Sequence, residues 1–303
     1  MRRAQILASC ALSTLLLASA AQISQSDVRK RVLALHLDSL VGRVPTYYSP
    51  GAHERAASLQ RAIDEEITFF ISSLHMQPNL TLAVLSEADW AKIRATPYGE
   101  PWVSDAPHVV LLPADLQASV IVKGFASSGR RASGSTRAAL EAAGVRFETA
   151  PYRLNDLIGY HEIGHVIVGD CGLEQTQRWF NEMLATYVAY AFMRERRPED
   201  ARAFDVLMRL NAETLHPSFR SLNDFETHFQ DIPGDNYGWY QAMFYSRVVA
   251  VYDREHLGFL DKLRRGGIVA GVQYQSPAHL LKRLEQISPG FERWANLMRQ
   301  DAN

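Results

Sequence analysis

The spacing of hydrophobic positions changes period as the chain proceeds. Over residues 22–77 apolar side chains recur at helical intervals, first Leu33, Leu37 and Leu40, then Ile63, Ile67, Phe70 and Ile71. The period then shortens. Leu80-Thr81-Leu82-Ala83-Val84-Leu85 and His108-Val109-Val110-Leu111-Leu112 are short apolar runs that predict strands, separated by residues 90–105 with a Pro-Tyr-Gly-Glu-Pro turn. Residues 124–137, rich in glycine and serine, predict a flexible boundary or lid. From about residue 147 the pattern is helical to the end, and no stretch repeats. The expected fold is α+β and predominantly α-helical: N-terminal helices with a small sheet over residues 22–146, then a helical subdomain over residues 147–303.

One helical segment stands out by its chemistry. Between Asp156 and Asp170 the only charged side chain is Glu162, flanked by Leu157-Ile158-Gly159-Tyr160 and Val166-Ile167-Val168, which is the composition of a core helix. Within it, His161-Glu162-Ile163-Gly164-His165 puts two imidazoles one turn apart on one face. Both can reach a single metal ion at about 2.0–2.1 Å. Glu162 projects from the next position round the helix, close enough to touch water bound to that ion, and this suits a general base. Two histidines and a carboxylate are costly to bury unless a cation or hydrogen bonds compensate them. The alternative is a buried helix whose polar groups are satisfied by neighbours.

Gly169-Asp170-Cys171-Gly172 supplies turn residues that end this helix, and a second periodic segment runs over residues 176–197. A short connection makes the two helices antiparallel neighbours. Glu182 then falls opposite the histidine pair as third ligand, ahead of Glu174 and Asp170, which belong to the turn. His161, His165 and Glu182 would hold one zinc ion per chain and leave a fourth position for water, the mark of a catalytic site.

The pair of segments, with Trp179-Phe180-Asn181-Glu182-Met183-Leu184-Ala185-Thr186-Tyr187 as the second, resembles the gluzincin zinc metallopeptidases, especially the peptidase MA-like branch that includes the zinc aminopeptidases. The resemblance covers roughly residues 150–260. It implies a gluzincin-like catalytic domain acting on a peptide or protein, with Glu162 as base. It also implies a sheet whose edge strand runs along the substrate cleft; Val109, Val110, Leu111 and Leu112 are the candidate edge, an interior strand being the alternative. The family commonly uses a tyrosine to hold the oxyanion. Tyr237 matches that position, with Tyr240 and His228 as alternatives and simple core packing as the plain one. Met183 stands where the branch has glycine, and no G-x-M-E-N segment, which holds a substrate's amino terminus in the aminopeptidases, precedes the motif. An endopeptidase is therefore favoured over an aminopeptidase. A zinc-binding scaffold or binding protein with negligible turnover is the competing function.

Met1-Arg2-Arg3, the apolar run from Ile6 to Leu17 and Ala18-Ser19-Ala20-Ala21 together predict a secretory signal peptide over residues 1–21 and a periplasmic or secreted protein. Leu7-Ala8-Ser9-Cys10 offers lipid anchoring at Cys10 as a lesser alternative. Removing the signal would leave Cys171 as the single cysteine, with no intrachain disulfide. It would also leave 30 Lys and Arg against 33 Asp and Glu, so 30 − 33 gives −3. No basic cluster is long enough to follow a phosphate backbone, so no nucleic-acid partner is expected, nor a later membrane span. His36, His53, His75, His108, His216, His256 and His279 show no paired metal spacing and predict ordinary surface or core roles. Oligomeric state is not legible.

Overall fold

The computed structural model describes residues 28–76 and 78–300. The expected signal peptide, Cys10 included, lies outside the described residues. The fold is predominantly helical with one small sheet. Helix α1 (Val28–Ala34) leads into strands β1 (Asp38–Leu40) and β2 (Thr46–Tyr48), then the long α2 (His53–Leu74). Strand β3 (Leu80–Leu85), α3 (Glu87–Ile93), β4 (Trp102–Val103) and β5 (His108–Pro113) complete the sheet. Thereafter come α4 (Val120–Ser128), α5 (Gly134–Ala142), α6 (Ala150–Asp170), α7 (Arg178–Arg196), α8 (Pro198–Thr214), α9 (Leu222–His228), α10 (Gly234–Glu255), α11 (Gly258–Arg265), α12 (Pro277–Ile287) and α13 (Phe291–Gln300).

The sheet has the order β1-β2-β3-β5-β4. Strands β2, β3 and β5 run parallel, and β1 and β4 close the two edges antiparallel. Both faces of the centre are covered. Leu82, Val84, Val110 and Leu112 point into the main core with α2 and α6, whereas Ala83, Leu85, Val109 and Leu111 point into a second core with α1 and α3. Strands buried on both faces lack polar alternation. Val109, Val110, Leu111 and Leu112 are each fully buried, and each such side chain contributes about 1.5–3 kcal/mol.

Residues 109–112 are therefore not the edge strand that the sequence suggested. They pair on one side with β3 and on the other with β4, and the edge next to the helical half is β4. With two residues it is too short to register as a periodic run. Residues 124–137, where glycine and serine suggested a flexible boundary or lid, are largely helical. They hold the end of α4, a 3₁₀ turn over Gly129–Arg131 and the start of α5, whose N-cap Ser133 accepts a hydrogen bond from Thr136 N at 3.2 Å. Arg131 Nε donates to Thr214 O at 2.7 Å and Ser133 N to Glu213 Oε1 at 2.6 Å, tying the segment to the end of α8. Serine here caps a helix, which composition cannot distinguish from a loop.

In the helical half, α7 is buried almost all round, between α6, α8 and α10. The main core passes without a break from Val44 through α6 and α7 to Met298. A costly inclusion is Glu66 on α2, fully buried with neither carboxylate oxygen hydrogen-bonded. Burial drives the Glu66 pKa well above the ordinary carboxyl value, with Arg197 opposing. An acid with its folded-state pKa raised loses stability as pH climbs from the unfolded pKa towards the folded one, because only the unfolded chain ionises in that window. Relative to wild type, Glu66→Gln should therefore gain about 1.4 kcal/mol per pH unit above the ordinary pKa of 4.5, read by denaturant unfolding at several pH values. A stability difference that does not change with pH would refute this.

Candidate metal centre

The centre rests on how α6 meets α7. Helix α6 stops in a Schellman turn: Gly172, at φ +65°, donates to Gly169 O at 2.8 Å, and Leu173 N to Val168 O at 3.1 Å. The connection is then locked by Asn181, whose side chain accepts from Gln175 N and donates to Gln175 O, both at 2.8 Å. Glu226 of α9 accepts from Trp179 N at 2.8 Å, placing a carboxylate on the first turn of α7. The two helices come together backbone to backbone at Gly164. A Cβ there would fall 2.3 Å from Ala185 O, so the fourth residue of the motif has no room for a side chain.

This contact brings three candidate ligand side chains together. His161 Nε2 lies 3.1 Å from His165 Nε2 and 3.2 Å from Glu182 Oε2, and His165 Nε2 lies 3.7 Å from Glu182 Oε1. A tetrahedral ion with bonds of about 2.0–2.1 Å separates its ligands by about 3.3 Å. The two His161 contacts match that separation, and the His165–Glu182 approach, made to the other carboxylate oxygen, is somewhat longer. Among the described residues, this buried trio is the one group of histidine, cysteine or acidic side chains placed to hold a metal ion.

Outside the triangle, hydrogen bonds fix each ligand. His161 Nδ1 contacts Thr186 Oγ1 at 3.0 Å, and Thr186 donates onward to Gln241 Oε1 at 3.5 Å. With Nδ1 carrying the proton, Nε2 is left bare as a ligand. Gln241 Nε2 and the Tyr237 hydroxyl both donate to Glu182 Oε2, at 2.8 and 2.9 Å. Burial works to raise the Glu182 pKa, but His165, His161 and Gln241 outweigh it and hold it near 2. Burial drops His165 to about 4, against the pull of Glu182. Burial also opposes charge on His161, but Glu182 prevails and raises its pKa. An ionised carboxylate beside a neutral imidazole is the state in which a cation is received.

Glu162 stays off the triangle. It is buried, and burial pushes its pKa up to about 8, with Glu182 and Glu100 adding to the rise and His161 and Arg94 opposing it. Tyr237 is held protonated, well above the usual phenol value, by burial and by the Glu182 and Glu162 carboxylates. The alternatives to it lie elsewhere. Tyr240 commits its hydroxyl to Ser221 O at 2.7 Å, and His228 is exposed against Phe219. Glu174 and Asp170 are exposed in or next to the turn. Cys171 is the C-cap of α6; its thiol points at Met76 Sδ at 3.8 Å, and burial raises its pKa.

Strand β4 forms a wall beside this centre. Asn155, buried two turns before Glu162 on the same face of α6, donates to Gly99 O at 2.8 Å and to Ser119 Oγ at 3.1 Å, and Ser119 Oγ donates to Gly99 O at 2.9 Å. Gly99 has φ +83°, and a Cβ on it would meet Ser119 Cβ at 2.5 Å. The knot sets β4 against the face of α6 that carries Glu162. Ser104 N donates to Val109 O at 3.0 Å, so by antiparallel alternation the N–H and C=O of Val103 turn away from β5.

No family model matches this chain, and no curated protein and no solved structure matches it. Reasoning from sequence did not single out Thr186, Gln241, Asn155 or the β4 wall. Spacing carried part of that information, since Thr186 stands one turn after Glu182 and Gln241 one turn after Tyr237. Thr186→Val keeps the shape and removes the acceptor of the His161 Nδ1 proton. It should weaken metal-ion affinity about 10–100-fold, measured against a competing chelator, with little change in melting temperature. Unchanged affinity would remove Thr186 from the support of His161.

Proposed function

We propose that this protein is an exported zinc-dependent metallopeptidase of gluzincin type that cleaves peptide bonds within extended substrates. The observation that carries the reading is the buried triangle of His161, His165 and Glu182 with Glu162 and the Tyr237 hydroxyl beside it. The donor set, two imidazoles and one carboxylate, matches the borderline character of zinc, and three protein ligands are the complement of a catalytic site. Export rests on the residues at the N-terminus, from Arg2 to Ala21.

A zinc ion in the triangle supplies Lewis acidity towards a water molecule and the scissile carbonyl. The residues of the chain do the rest. Glu162 takes the proton from the attacking water and hands it to the departing amine nitrogen, and a carboxylate of raised pKa suits both transfers near neutral pH. The Tyr237 phenol, kept protonated, donates to the oxygen on which negative charge develops. The outward N–H and C=O of Val103 pair with an extended substrate strand and lay it along the Glu162 face.

Purified protein should carry one zinc ion per chain by elemental analysis, and His161→Ala, His165→Ala or Glu182→Ala should each release most of it. Glu162→Gln should keep the zinc and lose about 10²–10⁴ in kcat on a peptide library. Zinc bound without turnover by the unaltered protein would turn the reading to a zinc-binding scaffold.

Tyr237→Phe removes one hydroxyl. It should lower kcat about 10²–10³-fold with zinc content retained, whereas Tyr240→Phe, which loses only its bond to Ser221 O, should leave kcat close to wild type. The reverse ranking would move the oxyanion donor away from Tyr237.

A further inference from the structure

Arg94 lies at the C-cap of α3, next to the β4 wall, and its guanidinium is fixed without being neutralised. Nε donates to Thr96 Oγ1 at 2.6 Å, and the indole of Trp102 covers one face, with Cζ 4.0 Å from the ring centroid. A guanidinium has five N–H donors, of which Nε–H is one. The four on the two Nη atoms meet no acceptor among the described residues, and no carboxylate comes within ion-pair distance. Its stacking on Trp102 sets Arg94 against β4, the strand that forms the wall beside α6. The side chain is half-buried, so its unmet donors are partly stripped of water. Such a cation favours a planar anion that accepts from its fork.

The fold indicates where that anion comes from. Trp102 and Val103 are successive residues of β4 and face opposite sides of the sheet: Val103 packs towards the main core with α6, Trp102 towards the second core with α1 and α3. A peptide pairing with Val103 alternates its side chains in the same way. Those on the Trp102 side meet Arg94.

We propose that Arg94, aimed by Thr96 and Trp102, is a specificity-determining residue that binds a carboxylate of the peptide substrate lying along β4. This rests on the peptidase reading. The carboxylate comes either from an Asp or Glu side chain or from the substrate's C-terminus, and the two sources share one recognition chemistry.

The test uses zinc-loaded protein carrying Glu162→Gln, which binds without cleaving, and fluorescein-labelled peptides followed by anisotropy. One series replaces Asn by Asp at successive positions in a C-terminally amidated peptide. A second compares the free acid with the amide of the uncharged peptide. At least one carboxylate peptide should bind about tenfold or more tightly than its uncharged counterpart, and the series in which this occurs identifies the source. Adding Arg94→Gln should abolish that ratio while leaving zinc content and affinity for the uncharged peptide unchanged. Arg94→Lys should keep part of the ratio, since it retains the charge and loses the fork. Arg94→Glu should shift the preference to lysine-bearing peptides. Equal binding of charged and uncharged peptides, or a ratio that survives Arg94→Gln, overturns the assignment of Arg94 alone. Failure of every peptide to bind overturns the peptidase reading and this inference with it.

Discussion

The closeness of α6 and α7 at Gly164 is the constraint on which the centre depends. Two candidate ligands stand on one helix and the third on the other, so the contacts of Glu182 with His161 at 3.2 Å and with His165 at 3.7 Å exist only at one interhelical distance. A metal site tolerates departures of about 0.2 Å in its bonds, far less than the displacement any Cβ at Gly164 would impose. The neighbouring interactions reinforce the same distance. Thr186, directly after Ala185, reaches back to His161, while Asn181 and the Schellman turn fix where α7 begins. Tight helix contact and ligand geometry are thus one requirement met at adjacent residues.

Charge is managed by dividing two buried carboxylates between opposite environments. Glu182 receives donors from Tyr237 and Gln241 and stays ionised, whereas Glu162, with no such partners, holds its proton up to about 8. Two adjacent acids with pKa values pushed apart can take different chemical parts in one site. Aromatic rings of α9 and α10 crowd this region. Phe225 stacks on Tyr237 and meets Tyr240 and Phe244 edge to face, so the phenol is braced by ring packing while its hydroxyl meets the polar centre.

Much of this was legible in the sequence because the ligand helix is coded locally. His161, Glu162 and His165 are related by helical spacing alone, and the turn at Gly169 to Gly172 announces the antiparallel partner that carries Glu182. The helical character of the chain and the strands β3 and β5 were visible for the same reason, as uninterrupted apolar runs. What was hidden depends on non-local partners. β5 is flanked by a two-residue strand that has no period to detect, so the sheet edge was misplaced, and Ser133 caps a helix in a segment whose glycine and serine suggested a loop. Thr186 and Gln241 carry no signal until the helices that bear them are set side by side.

The bond from Asn155 to Gly99 also bears on how the chain can vary in length. Because β4 hangs from the helix that carries Glu162, the offset between wall and base is set within α6, not by the loops on either side of the strand. The segment from Asp105 to Pro107, which turns β4 into β5 outside the knot, can lengthen or shorten without moving the wall relative to Glu162. An inserted residue between Tyr98 and Trp102 would instead slide the strand along the helix by about 3.3 Å and reverse the facing of its side chains. The position of the wall beside Glu162 is thus written in five residues of sequence, and the loops around them are left free to diverge.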